Sequence, residues 1–170
     1  NHGILEIAEY TVNQSPSVIL ADIYQKRPQA AAFSCYIWNW NIVKELLVEL
    51  PKLLPETELW LGGPEVSFHA EKMQAFPQLA GIMVGEGEET FLELLHYYWE
   101  KTISLSSVKG IVCKDGFTGE RALTDIGKLP FLYNPYLAVG KADSENNTLA
   151  CFKNRILYYE SQRGCPFQCA

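Results

Sequence analysis

Two thiols near the C-terminus, Cys165 and Cys169, are the residues best suited to chemistry. Three residues separate them. That is not the spacing of a zinc knuckle, nor that of a thioredoxin-type pair. Gly164 and Pro166 stiffen the turn around the first thiol. Arg163 adds positive charge, which favours the thiolate, the metal-binding form. Such a pair suits a metal site; the plain alternative is two ordinary thiols in a loop. Cys35, Cys113 and Cys151 are isolated. A second group of candidates offers main chain as much as side chain. It comprises Ser34-Cys35-Tyr36-Ile37-Trp38-Asn39, Gly62-Gly63-Pro64-Glu65 and Gly85-Glu86-Gly87-Glu88. Glycine there lets a backbone approach a ligand closely.

The flanking sequence predicts how these segments are held. Residues 4–12 read as a strand, with β-branched and aromatic residues in partial alternation. Ser15 as N-cap and Pro16 at the first helical position open a helix to about Lys26, with Ile19 and Ile23 on one face. Residues 30–35 are an unbroken apolar run, which predicts a strand buried on both faces. After the aromatic loop 36–39 comes a helix with Ile42, Val43, Leu46, Leu47 and Leu50 inward. Pro51 should end or kink it. Residues 58–61 form another strand, and a short helix over 69–75 stops at Pro77. Residues 80–84 form a strand, followed by a helix with an acidic first turn that suits its dipole. Phe91, Leu92, Leu95, Tyr98 and Trp99 face inward on it.

Alternating strand and helix predicts an α/β fold, a doubly wound parallel sheet of flavodoxin-like or Rossmann-like type. Ligands bind beyond the carboxyl ends of such strands. Ser34, Cys35, Tyr36, Gly62, Gly63, Pro64, Gly85, Glu86 and Gly87 are therefore expected to share one rim. Tight turns feeding helices are the plain alternative for any one of them. No Asp precedes Cys35 at the strand end, as a phosphorylatable receiver would need, and there is no Walker-type loop. Gly85-Glu86-Gly87 lacks the third glycine of the dinucleotide fingerprint, and its carboxylates would repel a pyrophosphate. A large neutral or cationic ligand suits this edge better. A bulky residue at Gly63 is expected to block it while sparing the fold. Beyond residue 100 the pattern changes. Residues 108–113 and the turn Lys114-Asp115-Gly116 read as a hairpin, residues 118–149 as a linker, and residues 155–160 as a last strand running into the cysteine loop. The expected organisation is an α/β domain over 1–104, hairpin and linker over 105–152, and the start of a further domain over 153–170.

Composition sets the bounds. The chain has 170 residues, 48% of them hydrophobic and 20% charged, which is ordinary globular usage. A chain of this size buries roughly 70% of its unfolded surface, enough for a core without disulfides or metal. Acids outnumber bases 20 to 14, for a net charge of −6. A duplex-binding domain carries a basic face, so nucleic acid is not the expected partner. No apolar run is long enough to span a membrane. Five cysteines, an odd count without a secretory signal, fit a reducing, cytoplasmic setting. The chain begins with Asn, and both ends are expected to continue in a longer protein.

These motifs together resemble one family, the cobalamin-dependent radical S-adenosylmethionine proteins. Tyr159-Glu160-Ser161-Gln162-Arg163-Gly164-Cys165-Pro166-Phe167-Gln168-Cys169 is similar to the first strand and Cys-x3-Cys-x2-Cys loop of their radical barrel. The third cysteine of that pattern would fall two positions beyond Ala170. The three rim segments resemble loops of the family's cobalamin-binding domain. The resemblance covers essentially the whole chain and is closest to magnesium-protoporphyrin monomethyl ester cyclase-like proteins and methyltransferases. It implies cobalamin on the rim, and Cys165 and Cys169 as ligands of a 4Fe–4S cluster that binds S-adenosylmethionine. It implies a parent enzyme that makes a 5′-deoxyadenosyl radical for methyl transfer or carbon-centred ring chemistry on a small-molecule substrate, with this piece inactive alone. The partner implied is the chain's own C-terminal radical barrel, with self-association as a second expectation. The Asp-x-His-x-x-Gly motif that supplies an axial histidine to cobalt is absent: His2 is followed directly by Gly3, and neither His69 nor His96 has the right neighbours. That motif belongs after a first strand, and the chain is expected to begin near the second. A central gap in the sheet would follow, filled by self-association or by residues 156–160. The alternative function is a non-catalytic scaffold or interaction domain, with Tyr36, Ile37 and Trp38 filling the corrin's place.

Overall fold

Ser15 and Pro16 open the first helix, α1 (Pro16–Lys26), in the computed structural model, which describes residues 3–68, 75–130 and 163. Pro16 has no N–H to leave unsatisfied in the first turn. The helix stops where Arg27 turns left-handed, at φ 45°, and its N–H donates to Ile23 O. Ile19 and Ile23 are the buried residues of α1, as their spacing predicts. Next come β1 (Ala30–Ser34), α2 (Trp40–Leu53), β2 (Glu58–Gly62), the single turn α3 (Pro64–Ser67), β3 (Leu79–Met83) and α4 (Glu88–Trp99). A hairpin of β4 (Ile111–Cys113) and β5 (Gly116–Phe117) closes the series. Two compact units result, Asn1–Thr124 and Asp125–Ala170. In the second, a turn over Ile126–Lys128 is capped by Asp125, whose carboxylate accepts the Gly127 N–H. No helix among the described residues is long and apolar enough to cross a membrane.

The sheet is ordered β1-β2-β3-β4-β5. The first three strands are parallel, and the hairpin adds to β3 antiparallel. The sheet is thus mixed, and the hairpin is part of it. Side chains of β2 alternate between two cores. Leu59 and Leu61 pack with α1 and α2, through Ile23, Val43, Leu46, Leu47 and Leu50. Trp60 packs on the opposite face with Met83, Leu94, Val108 and Ile111. Gly81 makes room for it, since a Cβ there would sit 2.4 Å from the Trp60 ring. Pro51 neither ends nor splits α2 but falls in its last turn. A proline at that place leaves the Leu47 carbonyl without its helical donor. Gln78 Nε2 fills the position, donating to Leu47 O at 2.7 Å.

Four sequence expectations are corrected. Residues 4–12 form no strand, because β-propensity yields a strand only where a neighbouring ladder is available. That segment instead lies along α1, where Glu6 pairs with Lys26 at 2.7 Å and Tyr10 donates to Asp22. The run 30–35 is not buried on both faces; β1 is the edge of the sheet, and Ala32 and Ser34 are exposed. No gap opens inside the sheet, since β1, β2 and β3 pair continuously. On α4 the buried residues are Thr90 and Leu94, with Phe91 and Tyr98 packed beside them, while Leu92 is exposed. The sequence placed the apolar stripe of this helix about one residue out of phase. The expected strand over 156–160 and most of the expected helix over 69–75 lie outside the described residues.

Candidate functional site

Hydrogen bonds stitch the carboxyl ends of β1, β2 and β3 into one rim. The Cys35 N–H donates to Gly62 O at 2.7 Å, and the Glu65 N–H donates to Cys35 O at 3.2 Å. Ser67 then carries the chain of contacts onward. Its hydroxyl donates to Gly63 O at 2.9 Å and accepts the Gly85 N–H at 3.2 Å. Ser67 is buried, so both bonds are shielded from water. Asn39 shapes the first loop: its Oδ1 accepts the Tyr36 N–H and its Nδ2 donates to Ser34 O, both at 2.8 Å.

The predicted site residues divide by what they present. Gly63 has φ 98°, and a Cβ on it would lie 2.7 Å from Cys35 O and 3.0 Å from Cys35 N. Its missing side chain therefore serves the contact between two loops and does not open space for a ligand. This overturns the expectation that a bulky residue at Gly63 spares the fold. Gly62 is buried, and its Cβ position meets Met83. Cys35 is fully buried. Its thiol lies 3.5 Å from Phe33 O, so the rim receives its main chain. Pro64 is exposed at the start of α3. At Gly85 and Gly87 an added Cβ would meet nothing within 4 Å, so here the bare backbone faces open space. Gly85 has φ 76°, whereas Gly87 has φ −94° and accepts any residue. Glu86 accepts the Thr124 N–H, so its carboxylate ties down a strand of chain beyond the hairpin.

Aromatic and apolar groups flank the first loop. Tyr36 and Trp38 stack, with ring centroids 4.5 Å apart and planes 9° from parallel. Trp38 is 65% exposed, and its neighbour Ile37 is 80% exposed. Next to Gly85 lies a hollow of about 270 Å³, lined by Val84, Glu86, Gly110, Phe117 and Leu123 among others. Arg121 closes one side. Its guanidinium donates to Thr90 Oγ1 at 3.0 Å, to Glu89 at 3.1 Å, to Lys109 O at 3.2 Å and to Glu93. Partial burial works against this charge, but the Glu93 and Glu89 carboxylates outweigh it and hold its pKa above the usual arginine value. Ser67, Asn39 and Arg121 are the positioning residues that sequence reasoning missed. Only Ser67 left a signal: it stands four residues after Gly63, the spacing at which a helical hydroxyl returns to a carbonyl. Cys165 and Cys169 lie outside the described residues.

Residues 3–95 match the B12 binding domain family. This chain belongs to that family. The B12-binding domain is 27% identical over 172 residues to the cobalamin-dependent radical SAM methyltransferase TokK of Streptomyces tokunonensis, covering 92% of this chain and 24% of that protein. It is 29% identical over 153 residues to a 2-(S-pantetheinyl)-carbapenam-3-carboxylate methyltransferase of Streptantibioticus cattleyicolor, covering 84% of this chain and 21% of that protein. The B12-binding domain thus spans about a quarter or less of the length of these curated relatives. Among solved structures it resembles OxsB, a cobalamin-dependent S-adenosylmethionine radical enzyme determined with aqua-cobalamin and S-adenosylmethionine bound. The TM-score is 0.55 at 21% identity, over 65% of this chain and 16% of that one. That likeness is one of fold, and it makes the mixed, mostly parallel sheet flavodoxin-like.

Proposed function

We propose that this B12-binding domain holds cobalamin on the stitched rim and serves as one module of a larger radical S-adenosylmethionine enzyme. One observation carries the reading: three loops from adjacent parallel strands meet at one edge, and two glycines there, Gly85 and Gly87, present bare backbone to open space. A bulky, hydrogen-bonding macrocycle suits such a cradle. Ser34, Cys35 and Tyr36 supply the first wall. Gly62, Gly63 and Pro64 supply the second, with Gly63 as the hinge that lets it close on Cys35. Gly85, Glu86 and Gly87 supply the third, and Glu86 anchors it through Thr124. When bound, cobalamin would supply methyl-carrier chemistry, and a cluster with S-adenosylmethionine would supply the radical. This chain's residues bind, orient and exclude water.

In the same reading, residues 1–104 form the cobalamin domain, 105–152 a hairpin and linker, and 153–170 the entry to the radical barrel. Cys165 and Cys169 are two thiolate ligands of a 4Fe–4S cluster, and the barrel is the domain's partner and reads the substrate. The setting is cytoplasmic. An absorbance titration of the chain with hydroxocobalamin tests the core of this. A saturable spectral change at one equivalent supports it. An unchanged spectrum at high concentration contradicts it and leaves the scaffold reading.

A further inference from the structure

The outer edge of β1 and the segment before α1 are two unpaired halves of a strand pairing. In a parallel ladder both main-chain groups of a residue point to the same neighbour, and the direction alternates along the strand. The Glu58 N–H donates to Gln29 O and the Cys35 N–H to Gly62 O, so the odd residues from 29 to 35 face β2. Ala30, Ala32 and Ser34 therefore face away from the sheet. Among the described residues only Ser34 O finds a partner there, the Asn39 amide. Natural edges are guarded by charge, proline or a bulge, but Ala30-Ala31-Ala32-Phe33-Ser34 carries none of these. The segment 3–10 has no main-chain hydrogen bond among the described residues. It displays large apolar side chains, with Ile4 93% and Ile7 84% exposed. Two exposed side-chain contacts, Glu6 to Lys26 and Tyr10 to Asp22, hold it beside α1.

We infer that the edge of β1 is a strand acceptor and that its occupant is the segment 4–12 of a second copy of this chain. Each copy carries one donor strand and one acceptor edge, so reciprocal exchange of the arms about a two-fold axis satisfies both sets of unpaired groups. Pairing of two β1 edges with each other would satisfy only one set. The exchange also covers Ile4 and Ile7.

Sedimentation velocity on the full 170-residue chain, from micromolar to hundreds of micromolar, tests this. The expected species has twice the 19.2 kDa chain mass. Ala32→Pro removes an N–H that points away from β2, and Ile7→Lys charges an exposed arm residue. Each should weaken the dimer by about tenfold or more, with far-UV circular dichroism unchanged. If Ala32→Pro fails to fold, Ile7→Lys alone decides. A chain that stays monomeric throughout overturns the proposal. So does a dimer that Ile7→Lys leaves intact, since then the arm is not the occupant.

Discussion

Gly63→Ala separates a residue that shapes the rim from one that faces a ligand. Its penalty has two parts. The backbone at φ 98° and ψ 170° lies in a region that is essentially glycine-only, and forcing another residue there costs about 1–3 kcal/mol. The new methyl would also meet Cys35 O at 2.7 Å and Cys35 N at 3.0 Å. Both are main-chain atoms, held by bonds to Gly62 and Glu65, so neither can swing away. Overpacking of that kind costs about 1–3 kcal/mol. The sum, roughly 4 kcal/mol at mid-range, is a large share of the roughly 5–15 kcal/mol that holds a domain together. For a chain of this size it corresponds to a melting point lower by roughly 8–16 °C. Thermal and urea melts of wild type and variant give the comparison. A variant that melts within about 2 °C of wild type would refute the close Gly63–Cys35 contact, and with it the account of how the second loop seats on the first.

Further outcomes follow from the same contacts. Ser67→Ala should destabilise by about 1–3 kcal/mol, because it leaves Gly63 O and the Gly85 N–H without their shared hydroxyl; urea melts read this directly, and a fully neutral substitution would count against the stitch. The arm along α1 should be most firmly docked between about pH 4 and pH 10. Its Asp22 is held below the usual carboxylate range by the Lys26 hydrogen bond and then by Tyr10, so that contribution is lost as the pH falls below about 4. Burial, and then the bond to Asp22, push Tyr10 up to about 12, so its contribution is lost as the pH rises from about 10 towards that value. Limited proteolysis near residue 10 across pH should show a minimum in that window, and a flat profile would contradict it. In the parent enzyme reconstituted without oxygen, Cys165→Ala or Cys169→Ala should remove the iron–sulfur absorbance, whereas Cys35→Ala, Cys113→Ala and Cys151→Ala should retain it; a cluster that survives Cys169→Ala would refute the ligand assignment.

Much of the fold was legible because it is local. Ser15-Pro16 marks a helix start, Ile19 and Ile23 share a helical face, and Lys114-Asp115-Gly116 turns a hairpin. The three rim segments could be placed together because strand ends of a parallel sheet share one edge. Pairing is not local, and there the reading failed. Residues 4–12 have the composition of a strand but no ladder beside them, and Ala30–Ser34 has the composition of a central strand but sits at the edge. Within the rim, sequence could say that Gly63, Gly85 and Gly87 lack side chains, but not what each absence is for. At Gly63 it admits the backbone of Cys35; at Gly85 and Gly87 it leaves open space. Arg121 was invisible because its partners, Glu89, Thr90, Glu93 and Lys109, lie 12 to 32 positions away.

The affinity of Gly87→Leu for hydroxocobalamin tests the central claim most directly. Gly87 has ordinary helical backbone angles, and its Cβ position is empty, so leucine there should leave the melting point within about 2 °C of wild type. It would place an isobutyl group in the space assigned to the ligand. If cobalamin sits on this rim, wild type binds and Gly87→Leu binds at least about tenfold more weakly, a loss of about 1.4 kcal/mol or more. Equal affinity in a folded Gly87→Leu variant would put the ligand elsewhere and contradict the site.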